Sequence, residues 1–156
     1  MAHTTFEQAI FIAAPPEIVR AQLAKLMTDV KEMHPFVIAT QHVKTTTAPD
    51  GTPIQHYLVR DRMKLGLWTI AFTYRVDMTV SADGKLTSNA YQSPGIHLYN
   101  ITWCELEGQG TCIREYIEIT APRLLMKLTY KGAATAHKEL FANLKERIEK
   151  EHISAR

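Results

Sequence analysis

Between Trp68 and Val80 apolar and polar side chains alternate without a break. Trp68, Ile70, Phe72, Tyr74, Val76, Met78 and Val80 fall on one side, and Thr69, Ala71, Thr73, Arg75, Asp77 and Thr79 on the other. A period of two this regular predicts a strand with one buried and one wet face. Similar runs lie on either side, each bounded by turn residues. Pro49-Asp50-Gly51 separates 36–48 from 53–64, Gly66 precedes 67–81, and Asp83-Gly84 precedes 85–93. Ser93-Pro94-Gly95 precedes 96–107, and Gly108-Gln109-Gly110 precedes 111–120. Six consecutive strands joined by short turns make an antiparallel meander.

The pattern differs at both ends. Residues 4–13 are rich in β-formers and predict an opening strand. Ala14-Pro15-Pro16-Glu17 then breaks it. Proline suits the first helical turn and Glu17 the positive helix end, so a helix is expected over about 15–28. A second short helix ends before His34-Pro35. After Pro122 the spacing turns helical to the end of the chain. Leu125, Thr129, Ala133, Ala136, Leu140, Leu144 and Ile148 form a stripe at three- and four-residue steps. A helix that long can cross a small sheet, and the sheet must cover its apolar face. The expected fold is α+β: a seven-stranded antiparallel curved sheet wrapped around a long C-terminal helix, with two short helices after the first strand. All 156 residues are read as one domain.

Composition narrows the class further. With 46% hydrophobic and 22% charged residues the chain is of ordinary globular composition. A net charge of +2 with no clustered basic footprint argues against a nucleic-acid partner. No secretory signal and no apolar run long enough for a membrane span is visible, so a cytoplasmic protein is expected. Cys104 and Cys112 lie outside any Cys-x-x-Cys pattern and are read as reduced thiols. No metal-binding spacing, phosphate loop, dinucleotide fingerprint or nucleophile elbow occurs, so neither a metal nor a cofactor is expected.

Three stretches carry a family resemblance. They are the strand running into a proline-led helix, Ile10-Phe11-Ile12-Ala13-Ala14-Pro15-Pro16-Glu17-Ile18-Val19; the last hairpin, Gly110-Thr111-Cys112-Ile113; and the long helix after Pro122. Together they resemble the SRPBCC, or START-like helix-grip, superfamily. It includes birch-pollen-allergen-like proteins, lipid-transfer START domains and bacterial polyketide cyclase/dehydrase-type domains. The resemblance implies a hollow between sheet and helix that holds an apolar small molecule. It does not choose between carrier and enzyme.

Several residues could carry chemistry in such a hollow. Gly132, Ala133, Ala134 and Ala136 are small side chains in mid-helix, facing the large Trp68, Phe72 and Tyr74. From the residues alone this is either close packing or room for a ligand; the resemblance implies room. The expected ligand contacts are Tyr57, Trp68, Phe72, Tyr74, Met78, Glu115, Ala133, His137 and Phe141. Glu115 breaks the apolar face formed by Ile113, Ile117 and Ile119. A carboxylate there needs a partner or an outlet to water. His137, four residues from both Ala133 and Phe141, is a candidate to meet it, and the two are the candidate acid/base pair. His34 is placed in a loop near the mouth. Arg60, Asp61, Arg62 and Lys64 are read as a solvated strand end, with an inward Asp61 as the lesser alternative.

Strand 96–107 allows two arrangements. If His97, Tyr99 and Trp103 point inward they line the hollow. If they point outward they form a patch suited to a homodimer or partner. The expected function is therefore binding or carrying an apolar or amphipathic molecule, lipid-, polyketide- or aromatic-like. A cyclase/dehydratase using Glu115 and His137, or a protein-interaction module, are the alternatives.

Overall fold

The computed structural model describes residues 1–156. In chain order the elements are β1 (Ala2–Ile12), α1 (Pro16–Ala24), α2 (Leu26–Met33), β2 (Val37–Thr47), β3 (Pro53–Leu65) and β4 (Trp68–Val80). There follow β5 (Leu86–Gln92), β6 (Ile96–Glu107), β7 (Gly110–Ala121) and α3 (Arg123–Ser154). The seven strands form one antiparallel sheet in the order β1-β7-β6-β5-β4-β3-β2. The meander is thus complete, and β1 closes onto β7 rather than β2. This is the predicted architecture, including two short helices after the first strand. The expected helix over 15–28 breaks at Lys25, so its last residues belong to α2.

The register sets which side chains face α3. Gln8 lies opposite Glu115, Ile10 opposite Ile113 and Phe6 opposite Ile117. On the other side of β7, Thr102 faces Glu115 and Asn100 faces Ile117. Ile96, Leu98, Asn100 and Thr102 therefore point inward. His97, Tyr99 and Trp103 lie on the outer face, which settles the two arrangements left open for that strand. Outside, His97 stacks on Tyr91 with 4.8 Å between ring centroids and bonds Asn89 at 2.9 Å. Arg75 also lies over the Tyr91 ring, 4.3 Å from its centroid. Cys104 sits opposite Ile113 and Cys112 opposite Glu105, so the two free thiols project from opposite faces of the sheet.

α3 has 32 residues, about 48 Å at 1.5 Å each. Its two halves do different work. Leu140, Phe141, Leu144 and Ile148 are buried against α1, α2 and Ile12 and Ile113. Burying such side chains is worth about 1.5–3 kcal/mol each. This solid core holds one end of the molecule. The N-terminal half of α3 carries the small residues Gly132, Ala133 and Ala136 and meets the sheet at fewer points, among them Phe6 against Tyr130 and His137.

Three further bonds clamp the core end. Lys145 Nζ donates to the carbonyl of Phe11 at 2.7 Å, the Ala13 amide donates to Glu149 Oε1 at 2.8 Å, and Thr111 donates to the carbonyl of Ala14 at 2.7 Å.

Candidate functional site

Between the sheet and the N-terminal half of α3 lies a hollow of about 440 Å³. That is within the usual range for small-molecule sites. Its wall is mostly aliphatic and aromatic, and Gly132, Ala133 and Ala136 supply the space on the helix side. No Lys or Arg lines the hollow; its titratable groups are His34, Asp61, Tyr74, Glu115 and His137.

Glu115 is held at the middle of β7 with 2% of its surface exposed. Its Oε1 accepts from His137 Nδ1 at 2.9 Å and from the Asn100 amide. Its Oε2 accepts from the Gln8 amide. Thr102 in turn donates to Asn100 Oδ1 at 3.1 Å and fixes the orientation of that amide. Burial pushes the carboxyl upward, but His137, as a neighbouring charge and as a donor, together with Gln8 and Asn100 outweighs it and holds Glu115 below the usual carboxylate range. It is a fixed anion. With both oxygens engaged, it is suited to orienting the imidazole rather than to taking a proton itself. His137 gives Nδ1 to Glu115 and keeps Nε2 free, and the ring borders the hollow. Phe6 packs edge-on against that ring at 6.2 Å.

His34 stands beside it, the two ring centroids 6.4 Å apart. The Phe36 amide donates to His34 Nδ1 at 3.2 Å, so the neutral ring carries its proton on Nε2. Burial, and then the proximity of His137, pull His34 down to about 3. It is neutral at physiological pH.

A second polar group lies across the hollow. Asp61, 4% exposed, faces inward from β3. The expectation of a solvated strand end holds for Arg60, Arg62 and Lys64 but not for Asp61. Alternation along β3 turns every second side chain inward, and Val59, Asp61 and Met63 share that face. The Tyr74 hydroxyl lies 3.2 Å from each Asp61 oxygen. One proton cannot fully satisfy two oxygens, so the carboxyl retains acceptor capacity. Burial raises Asp61 to about 6 despite the Tyr74 bond. Burial and Asp61 together push Tyr74 well above its ordinary value.

Of the expected contacts, Phe72, Tyr74, Met78, Glu115, Ala133, His137 and Phe141 border the hollow. Trp68 and Tyr57 do not, and both are corrections. Trp68 has the predicted facing but sits at the end of β4, where only β3 pairs with it, and is 77% exposed. Tyr57 packs against the core beyond the hollow and meets His42 edge-on at 5.3 Å. Gln8 and Asn100 were missed. Their only trace in the sequence is a polar residue on an otherwise apolar strand face, and that face is visible only once the register is known.

No protein-family model matches the chain, and no curated protein matches it in sequence. Solved structures do match in shape. The Thermus thermophilus protein TTHA0849 superposes with a TM-score of 0.68 at 20% identity, over 93% of this chain and 97% of that one. The Zhui aromatase/cyclase of Streptomyces sp. R1128 gives 0.66 at 12% identity, over 96% and 93%. A START superfamily protein from Mycobacterium smegmatis gives 0.65 at 14% identity, over 96% and 99%. At these identities the likeness is one of fold. The superpositions span nearly the whole chain, and the chain has the START-like helix-grip fold.

Proposed function

We propose that the protein binds or carries an apolar or amphipathic small molecule, lipid-, polyketide- or aromatic-like, in the hollow between sheet and α3, acting in the cytoplasm. The supporting observation is an apolar hollow of about 440 Å³ with two separate polar groups in its wall, Glu115–His137 and Asp61–Tyr74. An apolar wall supplies affinity and a few placed polar groups supply orientation. Because the wall holds carboxylates and no Lys or Arg, neutral amphipaths are favoured over carboxylic acids such as fatty acids.

Native mass spectrometry of the purified protein, before and after organic extraction, tests this. A co-purifying small molecule released by extraction is the expected result. A ligand at about 100 times its Kd should then stabilise the chain by about 2.7 kcal/mol. A bare mass, with no thermal stabilisation by any member of a neutral apolar panel, would refute the reading.

A second reading has its own support. A carboxylate fixed on Nδ1 with Nε2 left free is the arrangement a general acid/base histidine needs. On that reading the protein is a cyclase- or dehydratase-type enzyme in which His137 moves the proton and Glu115 sets its tautomer. If a bound ligand is converted by the wild type, His137→Gln should still bind it but leave it unchanged. Conversion by His137→Gln at the wild-type rate would dismiss the acid/base role.

A further inference from the structure

The end of the molecule where the hollow opens is unlike the rest of its surface. Arg75 is the last residue of β4, moving toward Trp68, that pairs with β5. Residues 68–74 pair with β3 alone, and β2 reaches β3 only as far as Asp61, so residues 62–65 and 68–71 extend the sheet as a two-stranded arm of about 13 Å. The arm turns at Gly66-Leu67 between the paired Leu65 and Trp68, with Gly66 at φ +61°, a conformation that primed hairpin turns need. The start of α3 lies across the opening from it, and Met63 Cε comes within 3.5 Å of where a side chain on Gly132 would begin. Ile70 and Leu128 both border the hollow and reach solvent, which places the mouth between arm and helix.

The tips of both elements are apolar and uncovered. Leu67 is fully exposed, Leu124 is 96% exposed, and Trp68 sits beside Leu67. Around them stand Arg62 and Lys64 on the arm and Arg123, Lys127 and Lys131 on the helix, all exposed. None of these five forms a salt bridge. At the opposite end Lys145 pairs with Glu149, and Arg147 with Asp29, Glu32 and Glu151. From Arg62 to Arg75, and from Arg123 to Lys138, there is no acidic residue at all. A net charge of only +2 thus conceals a local excess of cations at the mouth.

We propose that this tip docks onto an anionic lipid surface, with Leu67, Trp68 and Leu124 entering the interface and the five cations facing the headgroups. Exposed leucine and tryptophan side chains ringed by unpaired Lys and Arg match the two attractions that hold amphipathic elements at such surfaces. A second copy of the chain is the poorer occupant, because two such tips would bring like charges together. Docking in this orientation places the mouth of the hollow against the membrane.

The test is sedimentation of the full chain with vesicles of phosphatidylcholine alone and with vesicles containing about 30% phosphatidylglycerol, at about 0.05 M and about 0.5 M salt. Each cation near an anionic surface is worth about fivefold in binding. The expected result is binding at least about tenfold stronger to the anionic vesicles and weakened by salt. Lys64→Gln with Lys127→Gln should cost about 25-fold. Leu67→Ser with Leu124→Ser should abolish binding while leaving the melting curve unchanged, since both side chains are in solvent. In a Trp103→Phe background, Trp68 emission should shift to the blue on adding anionic vesicles. Absence of binding, equal binding to both vesicle types, or binding indifferent to the double serine variant overturns the proposal. So does a dimer that forms without vesicles and is dispersed by the serine substitutions.

Discussion

Glu115→Gln preserves shape and removes charge, and its consequence can be worked from the bonds at the site. The carboxylate accepts from Gln8, Asn100 and His137. An amide has one acceptor oxygen, and its NH₂ group must confront at least one of those donors. Two retained bonds fall from charge-assisted to neutral, a loss of about 1 kcal/mol each, and one buried donor left unmatched costs about 1–3 kcal/mol. Relief from burying an anion offsets part of this. A net destabilisation of about 2–4 kcal/mol is expected at pH 7. For a chain of this size each kcal/mol moves Tm by about 2–4 °C, so the drop is about 5–15 °C. The pH dependence separates charge from shape. The folded carboxyl titrates below its unfolded value. Its contribution is therefore fully present above the unfolded pKa and is lost as pH falls through the folded one. Thermal melts of wild type and variant from pH 8 down to pH 3 should converge at the acid end. A variant as stable as wild type at pH 7, or a gap that does not narrow on acidification, would refute the claim that Glu115 is held as an anion.

Asp61→Asn should act in the opposite sense. Asp61 titrates at about 6 when folded, so the folded protein is penalised as pH rises through the window from the ordinary aspartate value to about 6. The asparagine variant should be more stable by about 2 kcal/mol at pH 8 and gain nothing below about pH 4, as read from urea denaturation at the two pH values. His34 gives a second acid-side signature. Its folded pKa of about 3 lies below the unfolded value, so its contribution is complete above about pH 6.5 and is lost as pH falls toward 3. His34→Gln should flatten that part of the stability profile. Ala133→Trp fills the hollow from the helix side and should cut ligand binding by more than about tenfold, with Tm unchanged or raised, as measured by titration calorimetry and melting. A tryptophan variant that binds like wild type would place the ligand elsewhere.

Much of this molecule was legible from residue order. The unbroken alternation through β4, the proline-led start of α1 and the stripe along α3 each report on a local period. Local period decides whether a segment is a strand or a helix and which side chains share a face. The out-of-place carboxylate at Glu115 was visible for the same reason, because a single residue breaks a face that its neighbours define.

What the order of residues left undecided concerns partners and depth. Trp68 and Phe72 share one face, yet Phe72 borders the hollow and Trp68 stands in solvent, because Trp68 lies at the end of β4 beside the Gly66-Leu67 turn. Asp61 reads like its charged neighbours until the pleat turns it inward. Gln8 and Asn100 meet Glu115 only through a register linking β1, β7 and β6 across more than 100 residues of chain. The apolar tip and its unpaired cations come together from the β3–β4 hairpin and the start of α3, about 60 residues apart in sequence. Periodicity is a property of neighbours along the chain and can be read there. A binding site and a docking surface are properties of neighbours in space, and those exist only after the sheet has curled around its helix.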